Sequence, residues 1–466
     1  MKRFFLLLMA AAILNTATAQ VPELWGTMSV GGPFGIGGII KINGDGTGYV
    51  MDYACLGGTA GGSLQSSLRP VNSTLVYGHS VSGGTQALGD IYRYHPATNS
   101  YTSLFSMDSL SGYYPRGTPI VATNNKLYGL TNNGGVYDKG VLFSYDPALN
   151  QYLKLHDFND TTGQFPTGSV IQASTNNKLY GMTTTGGQNS CGVIFSYDIS
   201  NSVYAVVHPF NFTTGFAPYG SLLQGSNGLL YGLASGGGST GYGVLFSFDP
   251  ANNGLNVIHH FNGTDGAAPM GTLVEDGGLL YGCTSQGGVN NRGVIFSCTL
   301  AGSNFTKLYD FALATGSGPF GGVLMASDGK LYGMTLNGGA NSLGVIYSFH
   351  PGTGVYTKMY DGSFSTGGLP YADLIEYSAA TAIGEWEREL DPVRISPNPA
   401  CGITSVHCNT VLLPASFTLL NSTGQIVREG GFHSETEPLK LDLPSGVYCL
   451  VVKTTGARYT KKVLVQ

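Results

Sequence analysis

His79, Asp90, Arg93 and His95 bring two imidazoles, a carboxylate and a guanidinium into one short stretch of the chain. An imidazole beside a carboxylate is the minimum for general acid–base chemistry, and a second imidazole completes a donor set for a divalent metal, provided the fold gathers them in one pocket. The four stand out because they interrupt a recurrent segment. His79 stands where most copies carry Leu, Met or Cys, and Asp90, Arg93 and His95 stand where most carry Val, Ser and Asp. Ordinary surface polarity is the competing reading. They form a candidate ligand site, with no catalytic residue, metal ligand or cofactor assigned; His79, Asp90 and His95 within hydrogen-bond reach would favour an enzyme, and side chains pointing apart would not.

Elsewhere the chemistry is sparse. No nucleophile elbow, His-Glu-x-x-His, P-loop or dinucleotide fingerprint occurs. Asn43-Gly44-Asp45-Gly46-Thr47-Gly48 has the outline of a calcium loop but lacks the further ligands and closing Glu of an EF-hand, so a plain turn is expected. Asn159, Asn211, Asn262 and Asn304 lie in Asn-x-Thr sequons, three of them at equivalent points of the recurrent segment, where turn geometry explains them better than glycosylation. None of the 7 cysteines forms a Cys-x-x-Cys pair, and their spacing suggests no zinc site. Cys283 and Cys298 could bridge if in register, and a pair within Cys401, Cys408 and Cys449 is the other candidate; isolated buried thiols fit equally well.

Composition restricts the class. Only 11% of the 466 residues are charged, against about 25% in an ordinary soluble protein. The 71 glycines are roughly twice the usual share, while the apolar fraction is an ordinary 42%. Disorder and collagen are excluded, and a net charge of −5 without basic runs argues against a nucleic-acid partner. Many short strands joined by tight turns would produce this composition.

The positioning elements emerge from self-similarity. An aromatic anchor recurs at Trp25, Tyr77, Tyr128, Tyr180, Tyr231, Tyr281 and Tyr332, at intervals of 50 to 52 residues. In each copy a Gly-Gly pair follows six and seven residues later, and a further Gly twelve later, from Gly37 to Gly344. Each unit reads as four short strands: a Pro-x-Gly-x-Leu-type segment such as Pro166 to Gln172, then Lys178 to Met182, the glycine turn, Gly192 to Tyr197, and a strand around Tyr204 to Val207. Seven such units predict an all-β, seven-bladed β-propeller over residues 20–378. Copy one lacks room for its first strand, whereas an orphan one, residues 370–376, follows copy seven; it is expected to pair beside the Trp25 strand and close the ring. The anchors are expected in the blade cores rather than facing a sugar.

The Leu-Tyr-Gly-x-Thr, Gly-Gly, Gly-Val-Ile-Phe pattern, over roughly residues 24 to 376, resembles the GloVer repeat. That resemblance implies an exported protein of a group with varied C-terminal anchors and no agreed activity. The first two copies depart from it, with Trp25 for Tyr and Gly89-Asp90-Ile91-Tyr92 for Gly-Val-Ile-Phe.

The chain ends carry addresses. Lys2 and Arg3 precede an apolar run from Phe4 to Leu14, and Ala17-Thr18-Ala19 then sets a cleavage between Ala19 and Gln20, so residues 1–19 read as a signal peptide. No stretch is long and apolar enough for a transmembrane helix. Residues 379–391 read as a linker, and residues 392–466 as a separate small β-sandwich of Ig-like type, with five strands expected between Ile403 and Val465. Ile395-Ser396-Pro397-Asn398-Pro399, Asn421 to Val427 with Gly424, Leu443-Pro444-Ser445-Gly446-Val447-Tyr448 and Tyr459 to Gln466 with Lys461 and Lys462 closely resemble the type A C-terminal sorting domain of the type IX secretion system. By that resemblance the chain passes through the periplasm to an outer-membrane translocon in a Bacteroidetes-type host. The tail is then commonly cleaved, and the product released or attached to surface lipopolysaccharide.

The leading expectation is therefore a secreted or surface propeller acting as a binding or adhesion module for a carbohydrate or protein ligand. A polysaccharide-acting enzyme with its site on the second blade, and a structural surface component, are the alternatives.

Overall fold

The computed structural model describes residues 21–72, 74–377, 393–408, 415–421, 425–434, 436–453 and 458–465. Ala19, Gln20, Gly424 and the 379–391 linker lie outside these residues. The chain forms two compact units, one taking almost all residues up to Ser378 and a C-terminal one from Ala379.

The first unit is all-β and propeller-like. Its strands form seven four-stranded antiparallel sheets. Short 3-10 turns at Gly58–Ala60 and Pro96–Thr98 are its helical elements among the described residues. The fourth sheet is typical, with strands Ile171–Gln172, Leu179–Thr183, Val193–Asp198 and Val203–Pro209. Its two central strands are buried through their apolar runs, as expected where both faces are covered. The glycine of each Tyr-Gly pair makes room for an aromatic ring: a Cβ on Gly181 would lie 2.5 Å from the Phe195 ring, which sits on its cross-strand partner. Burying each such Phe contributes about 1.5–3 kcal/mol. The Gly186-Gly187 turn has φ of 77° and 75°, which a side chain would strain.

Neighbouring sheets share cores. One apolar cluster joins the third and fourth sheets, and others join the fourth to the fifth, the fifth to the sixth and the sixth to the seventh. The second meets the third through stacked Phe105 and Tyr152, 4.1 Å apart. Leu24, Met28, Ile40 and Leu374 pack with Tyr332, Met334 and Ile346, joining the seventh sheet to the first, and Trp25, Ile39, Val76, Tyr92 and Tyr94 join the first to the second. The expected orphan strand pairs with Glu23–Met28, Leu24 opposite Glu376 and Trp25 opposite Ile375. Glu376 also accepts the backbone N–H of Ser327 at 2.8 Å, the bond that Gln172 makes to Thr123 and Gln224 to Ser174. The residues 370–376 thus occupy a repeat's usual place.

One expectation is corrected. The sequence pattern predicts full strands for the Pro-x-Gly-x-Leu segments, yet the ladder covers only Ile171–Gln172 or its equivalents. Ser169, just before this ladder, directs its backbone N–H to the Ser221 hydroxyl of the next repeat instead.

The C-terminal unit is a six-stranded assembly with Ala415, Phe417, Leu419, Phe432, Leu439, Leu441, Leu450 and Val463 in its core. Strand Val393–Cys408 takes part in two ladders, parallel to Arg458–Val465 at Ala400 and antiparallel to Thr436–Leu441. Thr436–Leu441 is a strand beyond the five expected; it ends the strand order, where Pro438 is tolerated.

Candidate axial binding site

The shortened inner segments meet around one cavity. Its lining comes from all seven repeats, at Gln65 to Ser67, Arg116 to Thr118, Thr167 to Ser169, Tyr219 to Ser221, Met270 to Thr272, Phe320-Gly321 and Tyr371 to Asp373. The space among these residues, with the solvent at its open mouth included, is about 560 Å³.

Glycine is needed at its waist because the segments pack backbone to backbone. A Cβ on Gly168, Gly220 or Gly271 would fall 2.2, 2.4 or 2.3 Å from the carbonyl oxygen of the next repeat's glycine. One residue on, backbone donors meet side-chain acceptors of the following repeat. Ser67 N–H donates to Thr118 Oγ1 at 3.1 Å, Thr118 to Ser169 Oγ at 2.8 Å, Ser169 to Ser221 Oγ at 2.8 Å and Ser221 to Thr272 Oγ1 at 3.4 Å. Gly322 N–H donates to Asp373 Oδ1, and Asp373 N–H donates to Ser67 Oγ at 2.8 Å. The tier is continuous except between Thr272 and Gly322, which has no side chain.

Asp373 alone carries a carboxyl in this tier. Burial raises its pKa, opposed by the Gly322 N–H. On the rim the residue before each waist position varies: Gln65, Arg116, Thr167, Tyr219, Met270, Phe320 and Tyr371. Consecutive repeats therefore give an apolar arc, in which Phe320 packs edge-on to Tyr371 at 5.3 Å and to Tyr219 at 6.3 Å. The other arc is polar, with Arg116 exposed.

None of His79, Asp90, Arg93 and His95 lines this cavity. Ser80 and Asp90 are cross-strand partners, as are His79 and Ile91, so His79 and Asp90 face opposite sides of the second sheet. The convergence that acid–base or metal chemistry requires is not met there. Asp90 is buried, accepting hydrogen bonds from Ser80 Oγ at 2.5 Å and Tyr101 OH at 2.8 Å, and its carboxyl is pushed up by burial. Arg93 is exposed, and His95 Nδ1 lies 3.0 Å from the Thr74 carbonyl. His79 is fully buried against Phe143, with Nδ1 2.8 Å from the Gly117 carbonyl at the cavity waist, which assigns the proton to Nδ1. Thr27 does the same work in the first repeat, donating to Ser66 O at 3.0 Å.

The burial of His79 gives a pH prediction. Its pKa falls from 6.5 to about 4, because burial penalises the imidazolium. Above pH 6.5 both folded and unfolded states are neutral; below it the unfolded chain takes the proton first, so stability falls until pH nears 4. The loss is roughly 3 kcal/mol across that window. His79→Leu, copying Leu130 and Leu233, should remove this share of the acid sensitivity and cost about 1 kcal/mol at neutral pH through the lost hydrogen bond. Urea unfolding at several pH values checks it; an unchanged pH slope in the variant would refute the assignment.

Residues 14–224 and 173–388 match the family model of the Gloeobacter/Verrucomicrobia repeat. The chain belongs to the Gloeobacter/Verrucomicrobia repeat family. Residues 394–466 match the secretion system C-terminal sorting domain, and this type IX domain directs the protein to the cell surface or out of the cell. No helix among the described residues is long and apolar enough to cross a membrane. None of the curated proteins compared matches the chain. Among solved structures, a candidate 6-phosphogluconolactonase from Bacteroides fragilis is 15% identical, with a TM-score of 0.50 over 77% of this chain and 98% of that one. PorZ, a surface component of the type IX secretion system of Porphyromonas gingivalis, is 14% identical, with a TM-score of 0.44 over 92% of this chain and 63% of PorZ. TolB from Acinetobacter baumannii is 11% identical, with a TM-score of 0.40 over 61% of this chain and 63% of TolB. The likeness to the first is one of fold alone.

Within the Gloeobacter/Verrucomicrobia repeats the aromatic anchors are structural. All seven are between 0% and 6% exposed. Asn124, Asn176 and Asn227 each donate to the anchor hydroxyl four residues on, at 2.8 to 2.9 Å. The sequon asparagines of these repeats build turns: Asn159 and Asn211 Oδ1 each accept two backbone N–H groups at 2.9 to 3.0 Å. Asp45 likewise accepts the Thr47 N–H at 2.9 Å. Cys283 opposes Ile295 and Cys298 opposes Leu280, so the two thiols are out of register and both are free. Cys449 is also free, whereas Cys401 and Cys408 lie in a strand of which only the backbone is described.

Of the sorting-motif residues, Pro397, Asn398 and Pro399 lie in strand Val393–Cys408, Gly446 begins strand Gly446–Lys453, and Lys461 and Lys462 pair with Leu450 and Cys449. Tyr448 is buried and donates to the Pro444 carbonyl at 2.8 Å.

Proposed function

We propose that the protein is an exported seven-bladed propeller that binds a ligand, a glycan or a polypeptide, at its axial mouth. The seven sheets, the sheet-to-sheet cores and the position of residues 370–376 support a closed ring of blades. The long strand shared between two ladders supports an Ig-like sandwich for the tail. Residues 1–19 act as the signal peptide, cleaved between Ala19 and Gln20. Pro397, Asn398, Pro399, Gly424, Gly446, Tyr448, Lys461 and Lys462 form the motif read by the type IX machinery, and any attachment to lipopolysaccharide follows removal of the tail.

One observation carries the binding reading. The waist glycines and the hydroxyl tier recur because they pack neighbouring repeats together, while the rim position before them holds seven residues of six kinds, of which Thr167 donates to the Tyr219 carbonyl of the next repeat. Variation at a surface position of an otherwise regular repeat is where ligand contact is accommodated. Three aromatic rings there offer faces to sugar C–H groups or aliphatic chains, with Arg116, Gln65 and Thr167 supplying hydrogen bonds.

The test is a glycan and peptide array probed with the full chain, followed by Phe320→Ala and Tyr371→Ala. Each substitution should weaken binding by about tenfold, the loss of one stacked ring. Failure of every glycan and peptide to bind would leave the protein a scaffold.

A further inference from the structure

We infer that the axial cavity takes a primary ammonium group carried on an alkyl arm, as on a lysine side chain. This rests on the axial-mouth reading and names the ligand class.

The tier below the rim has used its backbone donors on its own hydroxyl oxygens, which leaves the Asp373 carboxyl as its charged acceptor. The backbone N–H groups of Ser67, Thr118, Ser169, Ser221, Gly322 and Asp373 are all bonded to the next repeat. Asp373 Oδ1 is held by Gly322, but its other oxygen meets no donor among the described residues. Gln65 Oε1 in the adjoining segment is buried and also has no donor. The two segments are tied by the Asp373 N–H to Ser67 bond, so both orphan acceptors belong to one side of one cavity. Gln65 Oε1 is buried, whereas Asp373 is only half-buried in the cavity lining, so its second oxygen is the acceptor that a donor-bearing ligand reaches.

An ammonium brings three donors and a full positive charge. Its path in is fitted to it. Tyr219, Phe320 and Tyr371 present ring faces and edges along the apolar arc, where an alkyl stem packs and a cation is attracted to the rings. At the waist the segments pack side by side, each glycine against the next repeat's carbonyl. Arg116 is the charged group of opposite effect in the lining; it is exposed on the polar arc, where water and salt screen it. A carboxyl that burial has made reluctant to ionise also gains most from a cation brought to it.

Calorimetric titration of the full chain tests this with two probes, N-acetyl-lysine methylamide and its neutral counterpart N-acetyl-norleucine methylamide, and a neutral oligosaccharide series alongside. Saturable binding of the lysine compound, none of the norleucine compound, and at least about tenfold weakening in Asp373→Asn are expected. Asn keeps an oxygen for the Gly322 N–H, and a thermal melt confirms the fold. Gln65→Leu, which leaves Asp373 in place, should weaken the lysine compound less, and Arg116→Gln should not weaken it. Equal binding of both compounds, no binding of either, or an unaltered Asp373→Asn affinity would overturn the ammonium inference. If an oligosaccharide then binds and Tyr371→Ala abolishes it, the axial-mouth reading stands without the ammonium; if nothing binds, both fall.

Discussion

Leu374→Asp is expected to destabilise the repeat unit by about 5 kcal/mol, since it removes a buried aliphatic side chain and leaves a carboxylate in its place. Leu374 is 2% exposed and packs with Leu24, Met28, Ile40, Tyr332 and Met334, the cluster that joins the seventh sheet to the first. A Cβ on Gly26 would lie 2.8 Å from its Cδ2, so the site has little room to rearrange. Against a total stability of roughly 5–15 kcal/mol for a folded domain, such a loss is expected to loosen the first sheet from the seventh. Thermal unfolding and limited proteolysis would show a lowered midpoint and early cutting on both sides of the joint. Glu376→Gln is the matched control: Gln172 and Gln224 already make the same bond in other repeats, so a change within about 1 kcal/mol is expected. A Leu374→Asp protein that melts like the parent would mean that residues 370–376 do not hold the first sheet to the seventh.

That joint is legible in the chain because repetition is a property of the sequence itself. A first strand absent from copy one and present after copy seven can be counted without knowing any contact, and Trp25 does pair with Ile375. The glycine positions are legible for the same reason. Contacts between repeats are not. His79 is a chemical outlier among the copies, yet its partner is a carbonyl 38 residues away, and nothing near His79 in the chain announces that bond. Spacing alone groups Asp90 with His79, but a strand alternates faces, and the register Ser80 to Asp90 puts them on opposite ones.

The axial site escapes the sequence pattern for a related reason. The Pro-x-Gly-x-Leu segments read as strands, whose alternate residues would enter a sheet core. Their glycines instead bring neighbouring backbones together, which turns the preceding residues to the rim and the following hydroxyls to the next repeat. A signal is present: Asp373 breaks a run of Ser67, Thr118, Ser169, Ser221 and Thr272, and Arg116, Tyr219 and Phe320 vary where their neighbours do not. Those departures carry no charge cluster or motif, so they are less visible than the second repeat's histidines.

Deletion of residues 392–466 should keep the repeat unit folded and stop it from leaving the cell. The tail has a core of its own, built from Phe417, Leu419, Leu439, Leu450 and Val463, and the residues that build the repeat cores end at Tyr377. The match of residues 394–466 places the type IX sorting domain in this unit. In a host with type IX machinery, fractionation should find the truncated protein retained in the periplasm, with surface and medium levels down by more than an order of magnitude. Its protease-resistant core should remain that of the parent. The converse fusion, residues 392–466 behind a signal peptide and an unrelated folded passenger, should carry that passenger out. Normal appearance of the truncated protein outside the cell would refute the assignment, and retention with a degraded repeat unit would instead place the fault in folding, which the melting midpoint of the purified fragment distinguishes.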